Sequence, residues 1–284
     1  MKRVWIILGS LCFFNILAWI GVFQSSHANL EVTFFDVGQG DSIFITTFQK
    51  QQILIDGGPD AAVLERLGEV LPFWDRTLDL IILTHPDHDH IAGLIEVLKS
   101  YEVKNILWSG IAGDSAEYLE WQRLIKEEGA LIKTAQAGQK IVSANFILDI
   151  LYPLESLSGK ALSNDNNSSV VSRLLCGEKS FLFTGDIYQS VENEILKSGQ
   201  EIDSDVLKIS HHGSKTSTSE EFLLKVSPET AVISVGADNS YGHPAPETLA
   251  RLEKYGINIF RTDLNNNIKI ICNSQSLRLK VQRQ

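Results

Sequence analysis

The hexapeptide HPDHDH, residues 85–90, constrains the fold of this chain more than any other stretch. Every residue in it except Pro86 is a histidine or an aspartate, and these side chains hold Zn²⁺ or Mn²⁺ in proteins. The run LDLIILT directly before it has the length and apolar composition of a buried strand. Six of the seven histidines lie in this hexapeptide or in the later motifs HHG and YGHP. This concentration predicts a metal site at the end of a strand.

Other polar clusters also come directly after apolar, strand-like runs. They are Asp56 after QQILI, Asp186 after SFLFTG, and His211 with His212 after DVLKIS. Helical patterns such as DAAVLERLGEVL separate several of these runs. The alternation predicts a mixed α/β layered fold, in which polar side chains meet beyond the carboxyl ends of the strands.

The first segment differs from the rest of the chain. Residues 4–23 contain no charge, follow the basic start MKR, and are long enough to span a bilayer as one apolar helix. This length favours an uncleaved anchor, whereas the sequence SHA at 26–28 fits a signal-peptide cleavage site. We therefore expect residues 1–28 to be a signal peptide or membrane anchor. Residues 29–284 would form the working domain outside the cytoplasm, either secreted or attached to the membrane.

The composition argues against binding of nucleic acid through bulk charge and against a thiolate metal site. The net charge is −10, and proteins that grip nucleic acid through bulk charge are basic. The three cysteines are Cys12, Cys176 and Cys272, and no CxxC pair occurs, so a thiolate metal site is not expected. Because a large domain does not need disulfides, we expect Cys176 and Cys272 to be buried free thiols in strands.

The sequence resembles metallo-β-lactamase-fold hydrolases, and more narrowly the hydrolase domain of ComEC-type competence proteins. The motifs that carry the resemblance are FDVGQGDS (35–42), LIDGG (54–58), LTHPDHDHIAGL (83–94), NNSSVV (166–171), FTGDI (183–187), LKISHHGSKTS (207–217), YGHP (241–244) and RTD (261–263). The resemblance implies a four-layer αββα sandwich, preceded here by the N-terminal apolar helix.

The family's metal motif is HxHxDH, and HPDHDH matches it with Asp87 in place of the middle histidine. The resemblance implies two divalent metal ions, Zn or Mn. The implied ligands of the first ion are His85, Asp87 and Asp186, with water. Those of the second are Asp89, His90, Asp186 and one of His211 and His212, of which His211 is favoured. The first set is poor in nitrogen, so we expect a preference for harder ions such as Mn²⁺ or a weakly occupied first site.

The same resemblance implies catalytic roles for several residues. Asp87 or Asp89 would orient the attacking water or take its proton. His243 would protonate a leaving oxygen or hold a phosphate, and a packing role for it is equally open. Asp56 is expected to support the HPDHDH loop through hydrogen bonds. Asp186 has a competing interpretation as a helix N-cap. Weaker candidates for substrate contact are Lys215, Asn167 and Ser168.

The function implied by the resemblance is metal-dependent hydrolysis with metal-activated water as the nucleophile. We expect a phosphodiesterase or nuclease of the ComEC-like competence type, acting on DNA outside the cytoplasm. One alternative is a hydrolase of a small or surface-attached substrate, such as a phosphocholine ester, a lactone or a thioester. The other is a non-catalytic binding module. The sequence indicates no obligate protein partner.

Overall fold

The structure is a computed structural model that describes residues 4, 5, 7, 9–16, 19, 29–143 and 146–281. Residues 9–16 are helical. Within the described part of the chain, no helix combines the length and the apolarity needed to cross a bilayer. Much of the segment predicted to be a signal peptide or anchor lies outside the described residues, and that assignment stays a prediction.

Strands make up most of the framework. In chain order they are β1 (Leu30–Phe34), β2 (Ile43–Thr46), β3 (Gln52–Ile55), β4 (Thr77–Leu78), β5 (Leu80–Leu83), β6 (Glu102–Val103), β7 (Asn105–Trp108), β8 (Leu131–Thr134), β9 (Lys140–Ser143), β10 (Phe146–Tyr152), β11 (Val171–Cys176), β12 (Lys179–Phe183), β13 (Val206–Lys208), β14 (Thr230–Ile233), β15 (Asn258–Arg261), β16 (Ile268–Cys272) and β17 (Leu277–Val281).

The helices lie between these strands. In chain order they are α1 (Ala62–Val70), α2 (His88–Ser100), α3 (Ala116–Glu128), α4 (Gln189–Ser198), α5 (Glu220–Val226), α6 (Pro246–Lys254) and α7 (Thr262–Asn265). A single 3₁₀ turn, Asp165–Ser168, precedes β11, and a turn with two left-handed residues, Ser210–Gly213, follows β13.

The strands form two main sheets. The first has eight strands in the order β17-β16-β1-β2-β3-β5-β7-β8, and the second has seven in the order β15-β14-β13-β12-β11-β10-β9. In the first sheet β3, β5, β7 and β8 are parallel, and in the second β12 to β15 are parallel. The parallel strand β5 reads LIIL and is buried throughout, as expected for a strand covered on both faces.

Three apolar clusters separate four layers. One lies between the two sheets, with β1, β2 and β3 facing β10, β11 and β12. A second lies under α1, α2 and α3 on the outer face of the first sheet, and a third lies under α4, α5 and α6 on the second sheet. In α2 the buried residues Ile91, Leu94, Ile95 and Leu98 form one face at helical spacing. The predicted αββα sandwich is confirmed.

The starting residues of two helices bear on the predicted ligands. The helix after HPDHDH begins at His88, so half of the motif lies in its first turn. The helix after Asp186 begins only at Gln189, with Tyr188 at its N-cap position. Asp186 is therefore not a helix N-cap, and that competing interpretation is wrong.

The expectation of free thiols at Cys176 and Cys272 is also wrong, because these residues form a disulfide. Cys176 ends β11 in the second sheet and Cys272 ends β16 in the first, so the bond joins the two sheets through the core between them. A buried thiol and a buried half-cystine look alike in an apolar strand. The pairing across 96 residues depends on the sandwich itself.

Candidate metal centre

Strand ends from both sheets deliver the predicted ligands to one edge of the sandwich. In the first sheet, Asp56 follows β3, and Thr84 with His85 follows β5. In the second sheet, Asp186 follows β12, and the turn Ser210–Gly213 follows β13. The first turn of α2 adds Asp89 and His90. The centre is therefore assembled only when the two sheets face each other.

Two glycines let the backbone pack closely beneath the start of α2. A Cβ on Gly93 would come within 1.9 Å of the carbonyl oxygen of Gly57, whose own N–H donates to the His90 carbonyl at 2.9 Å. Gly40 has a φ of 142°, and a Cβ there would lie 2.3 Å from the Asp89 carbonyl oxygen. Only glycine fits at these two positions, because a Cβ would collide with the backbone. The close packing fixes the distance between the sheet and the first turn of α2, which carries the ligands.

Asp56 fixes the ring of His90. His90 Nδ1 lies 2.9 Å from Asp56 Oδ2, and a carboxylate only accepts, so Nδ1 carries a proton and donates it. Asp56 also accepts from the Thr84 backbone N–H at 2.8 Å and from Thr84 Oγ1 at 2.7 Å. The supporting role predicted for Asp56 is confirmed. His90 Nε2 is the nitrogen left to face the centre.

The ring of His85 is fixed in the same way. Its Nδ1 lies 3.0 Å from Thr84 Oγ1 and 3.3 Å from Ser169 Oγ. Both hydroxyl protons are already committed, since Thr84 Oγ1 donates to Asp56 and Ser169 Oγ donates to the Asn166 carbonyl. Nδ1 of His85 is therefore the donor, and its Nε2 faces the centre.

His212 supplies a third ring from the opposite sheet. Its Nδ1 donates to the Ser234 carbonyl at 2.9 Å, and its Nε2 lies 3.1 Å from Asp89 Oδ2 and 3.2 Å from Asp186 Oδ2. His211 and His212 both have a φ of 52°. Such left-handed conformations cost about 1–3 kcal/mol per residue and cluster at functional sites. Here the turn places the ring of His212 in the centre and the ring of His211 on the wall beside it.

The ring nitrogens and carboxylates surround one point. Oδ2 of Asp186 lies 3.4 Å from His90 Nε2 and 3.2 Å from His212 Nε2, and Asp87 Oδ2 lies 3.6 Å from His85 Nε2. Among the described residues, two sets have their ligand atoms within 4.8 Å of one another on the Nε2 side of His90, namely His85 with His90 and Asp186, and Asp89 with His90 and His212. A third set, Asp41 with Asp56 and His90, lies on the Nδ1 side of the same ring.

This donor set fits a divalent cation. Among the described residues, Nε2 of His85 and Nε2 of His90 are buried without a hydrogen-bond partner. Buried polar atoms of this kind are costly unless something binds them, and imidazole with carboxylate suits Zn²⁺ or Mn²⁺. The geometry favours His212 as the ligand from the HHG pair, whereas our expectation from the sequence favoured His211. The ring of His211 lies outside these sets.

Neighbouring charges in the centre shift the pKa values of its ligands. Burial lowers the pKa of His212, but the Asp186 carboxylate and hydrogen bonds to Asp186 and Asp89 outweigh it and raise that pKa to about 10. Burial raises the pKa of Asp186, and His212, Lys208 and His90 together lower it well below its ordinary value. A proton and a divalent cation therefore compete for the same nitrogens.

Lys208 is part of the centre and was missed from the sequence. It ends β13 with 1 % of its surface exposed. Its ammonium donates to the Gly185 carbonyl at 2.9 Å and to Asp186 Oδ1 at 3.2 Å, and it forms a close ion pair with Asp41 Oδ2. All three protons thus have acceptors, and Oδ2 of Asp186 stays free for the rings. The sequence contained a signal for the role of Lys208, because a lysine inside a buried strand requires a partner for its charge.

A pocket of about 140 Å³ opens onto the centre. Its lining residues are Gln39, Asp87, Asp89, Asn166, Asp186, Tyr188, His211, His212, Tyr241 and His243. Burial lowers the pKa of both His211 and His243, so both rings are neutral near pH 7. Nδ1 of each is buried and has no hydrogen-bond partner among the described residues. These two rings form a neutral polar wall beside the acidic floor.

Three predicted substrate contacts lie away from this pocket. Lys215 is exposed to solvent. Asn167 accepts a hydrogen bond from the Tyr188 backbone N–H at 3.2 Å. Ser168 is buried and donates to a backbone carbonyl in its own turn at 2.6 Å. The residue of this turn that lines the pocket is Asn166.

A protein-family model and several curated proteins match this sequence. A model of the metallo-beta-lactamase superfamily matches residues 35–237. The chain is 32% identical over 281 residues to ComE operon protein 3 of Bacillus subtilis, covering 93% of this chain and 35% of that protein. It is 32% identical over 239 residues to Competence protein ComA of Neisseria gonorrhoeae, covering 84% of this chain and 32% of that one. The chain thus spans about a third of the length of these curated relatives.

Solved structures share the fold at low sequence identity. The metallo-beta-lactamase fold protein YhfI from Bacillus subtilis matches with a TM-score of 0.54 and 14% identity, covering 81% of this chain and 96% of that one. CmlA, a diiron beta-hydroxylase from Streptomyces venezuelae, matches with a TM-score of 0.53 and 14% identity, covering 89% of this chain and 54% of that one. At these identities the likeness concerns the fold alone.

Proposed function

The chain belongs to the metallo-β-lactamase superfamily, and on that premise we propose that it is a metal-dependent phosphodiesterase or nuclease that acts on DNA. The observation that carries the proposal is the convergence of three imidazole Nε2 atoms and the Asp89 and Asp186 carboxylates beneath one small pocket. Two of those nitrogens are otherwise without a hydrogen-bond partner in the described chain.

The ligands divide into two sets. One divalent cation would be held by Asp89, His90, Asp186 and His212, and a second by His85, Asp87 and Asp186. When bound, such cations supply positive charge to a phosphoryl oxygen and acidify water. The second set offers a single imidazole among carboxylates, which favours Mn²⁺ over Zn²⁺ at that position.

The residues of the chain then have distinct tasks. The Asp87 side chain is 38% exposed at the pocket floor and can accept a proton from attacking water. His243 is neutral, so it is better suited to donate a hydrogen bond to a phosphoryl oxygen than to act as an acid. Lys208 holds Oδ1 of Asp186 and so orients Oδ2 toward the rings.

A phosphodiester suits this centre better than an acyl substrate. No histidine occurs between residues 91 and 210, and Asn166 is the residue of that segment that lines the pocket. The centre is therefore rich in oxygen, as befits harder cations and phosphate chemistry. The similarity to Competence protein ComA favours DNA as the polymer.

The site of action proposed is outside the cytoplasm. The Cys176–Cys272 disulfide supports this, because disulfides persist in oxidising compartments and are rare in the cytosol. The uncharged run at residues 4–23 supports attachment to, or passage through, a membrane.

The test is hydrolysis by the purified chain loaded with Mn²⁺ or Zn²⁺. Single-stranded DNA, bis-p-nitrophenyl phosphate and a lactone are compared as substrates, and bound metal is measured by elemental analysis. We expect cleavage of both phosphodiesters, loss of cleavage in Asp89→Ala, and full cleavage in Asp114→Ala, whose side chain is exposed away from the pocket. Turnover of the small ester with intact DNA would favour a small-substrate hydrolase. Failure to take up metal would favour a non-catalytic module.

A further inference from the structure

An aromatic pair stands at the mouth of the pocket. The ring of Tyr241 is stacked on the ring of His243, with centroids 5.9 Å apart and planes inclined by 17°. Tyr241 is 70% exposed, whereas His243 is half-buried. The centroids of the His243 and His211 rings lie 5.7 Å apart. One face of the tyrosine ring is therefore partly covered by His243, and most of the ring is presented to solvent beside the centre.

The loop that carries this pair is held in place by its own hydrogen bonds. Asn239 Nδ2 donates to the carbonyls of Gly236 and His243, both at 2.8 Å, and the His243 backbone N–H donates to Asn239 Oδ1 at 3.0 Å. The Ala245 backbone N–H donates to the Gly213 carbonyl at 2.9 Å, which ties the loop to the HHG turn. The position of the pair relative to the centre is thus fixed before any ligand arrives.

The pocket is small enough that it can enclose only part of a large substrate. A space of about 140 Å³ is well below the roughly 300–1,000 Å³ of sites that enclose a whole small molecule. It suits one phosphoryl group. The groups attached to that phosphate must lie outside the pocket, and Tyr241 lies along that boundary.

We infer that Tyr241, backed by His243, is a stacking platform for an unpaired nucleobase next to the scissile phosphate of a single-stranded polynucleotide. The inference rests on the proposed phosphodiesterase function and deepens it. An exposed aromatic face binds every base, because each base has a π-face, and it requires that the base be unpaired. With a net charge of −10 the chain cannot hold a polynucleotide by bulk attraction, so stacking carries a larger share of the affinity.

The experiment compares two octamers with the same phosphate backbone. One is dT8, and the other carries abasic sites at all internal positions. With Mn²⁺ present, we expect the wild-type chain to cleave dT8 with a higher kcat/KM than the abasic octamer. Tyr241→Ala lowers kcat/KM for dT8 by roughly 5- to 150-fold, which is the effect of losing about 1–3 kcal/mol of stacking per base, and it abolishes the preference for dT8. Tyr241→Phe keeps the ring and the preference.

Each outcome has a clear meaning. Equal kcat/KM for the two octamers in the wild-type chain overturns the platform even when both are cleaved, and it leaves the phosphodiesterase proposal standing. An equal loss in Tyr241→Phe and Tyr241→Ala also overturns it, because a platform needs the ring and not the hydroxyl. Cleavage of neither octamer overturns both proposals. The wild-type comparison needs no variant, so a folding defect in Tyr241→Ala does not weaken the test.

Discussion

Replacing Lys208 with methionine would remove a buried ammonium that is paired with two buried carboxylates, while keeping an apolar stem of similar length. The side chains of Asp41 and Asp186 are 2% and 3% exposed, and each is within contact of the ammonium. Burial lowers the pKa of Lys208, but Asp41 and Asp186 outweigh it and raise that pKa above its ordinary value, so the ammonium is charged at any working pH.

The expected loss of stability is large. Breaking a buried pair by removing one partner costs about 3–5 kcal/mol, because the other charge is left uncompensated. For a domain of this size, about 1 kcal/mol lowers the Tm by roughly 2–4 °C. Lys208→Met in EDTA should therefore melt roughly 6–20 °C below the wild-type chain. Excess Mn²⁺ should narrow that gap, since a divalent cation supplies positive charge to the same carboxylates.

Thermal unfolding followed by circular dichroism, with EDTA and with Mn²⁺, measures both effects. Lys126→Met is the matched control, because Lys126 is exposed on α3 and its loss should change stability by no more than about 0.5 kcal/mol. A Tm within 2 °C of the wild type for Lys208→Met in EDTA would refute the idea that the ammonium compensates these carboxylates.

Three further predictions concern the residue that supports the centre, the protons of the centre and the disulfide bond at the other end of the sandwich. In Asp56→Asn, an amide N–H₂ would face donors that now meet a carboxylate, including His90 Nδ1. The variant should bind Mn²⁺ roughly 10- to 100-fold more weakly in isothermal titration calorimetry, and unchanged affinity would contradict the supporting role of Asp56. The pKa of His212 is raised to about 10 and that of His90 well above its ordinary value, so cation binding must displace protons and affinity should rise with pH; calorimetry at pH 7.5 in two buffers of different ionisation enthalpy should show proton release, and its absence would speak against the assignment. The double variant Cys176→Ser with Cys272→Ser should lose about 3–5 kcal/mol in urea unfolding, since the bond closes a loop of 96 residues, and an unshifted midpoint would rule this out.

The mixed α/β layering and the strand-end position of the site could be predicted because both depend on local pattern, whereas the four-layer αββα arrangement was predicted from the family resemblance. The run before HPDHDH reads as a buried strand, and the residues after it repeat at helical spacing, so each element is specified by its own residues. The supporting role of Asp56 followed from the same logic, since strand ends in the parallel part of a sheet meet at one edge.

The remaining features depend on contacts that no local pattern encodes. The pairing of Lys208 with Asp41 and the pairing of Cys176 with Cys272 both form across the two sheets. The choice of His212 over the preceding histidine depends on a left-handed turn whose φ values the residue types do not announce. Sequence patterns place side chains along an element, and tertiary packing decides which of them meet.

The disulfide lies at the end of the sandwich away from the centre. Cys176 pairs with Lys179 at the start of β12, and Cys272 pairs with Leu30 at the start of β1, whereas the ligands follow the opposite ends of strands in the same sheets. The two sheets are thus joined covalently at one end and share a chelating cluster at the other. Thiol oxidation and cation binding both favour the same spacing of the sheets, so each should strengthen the other by an equal free energy. A chain in a reducing compartment would hold its cation less tightly than the same chain after oxidation.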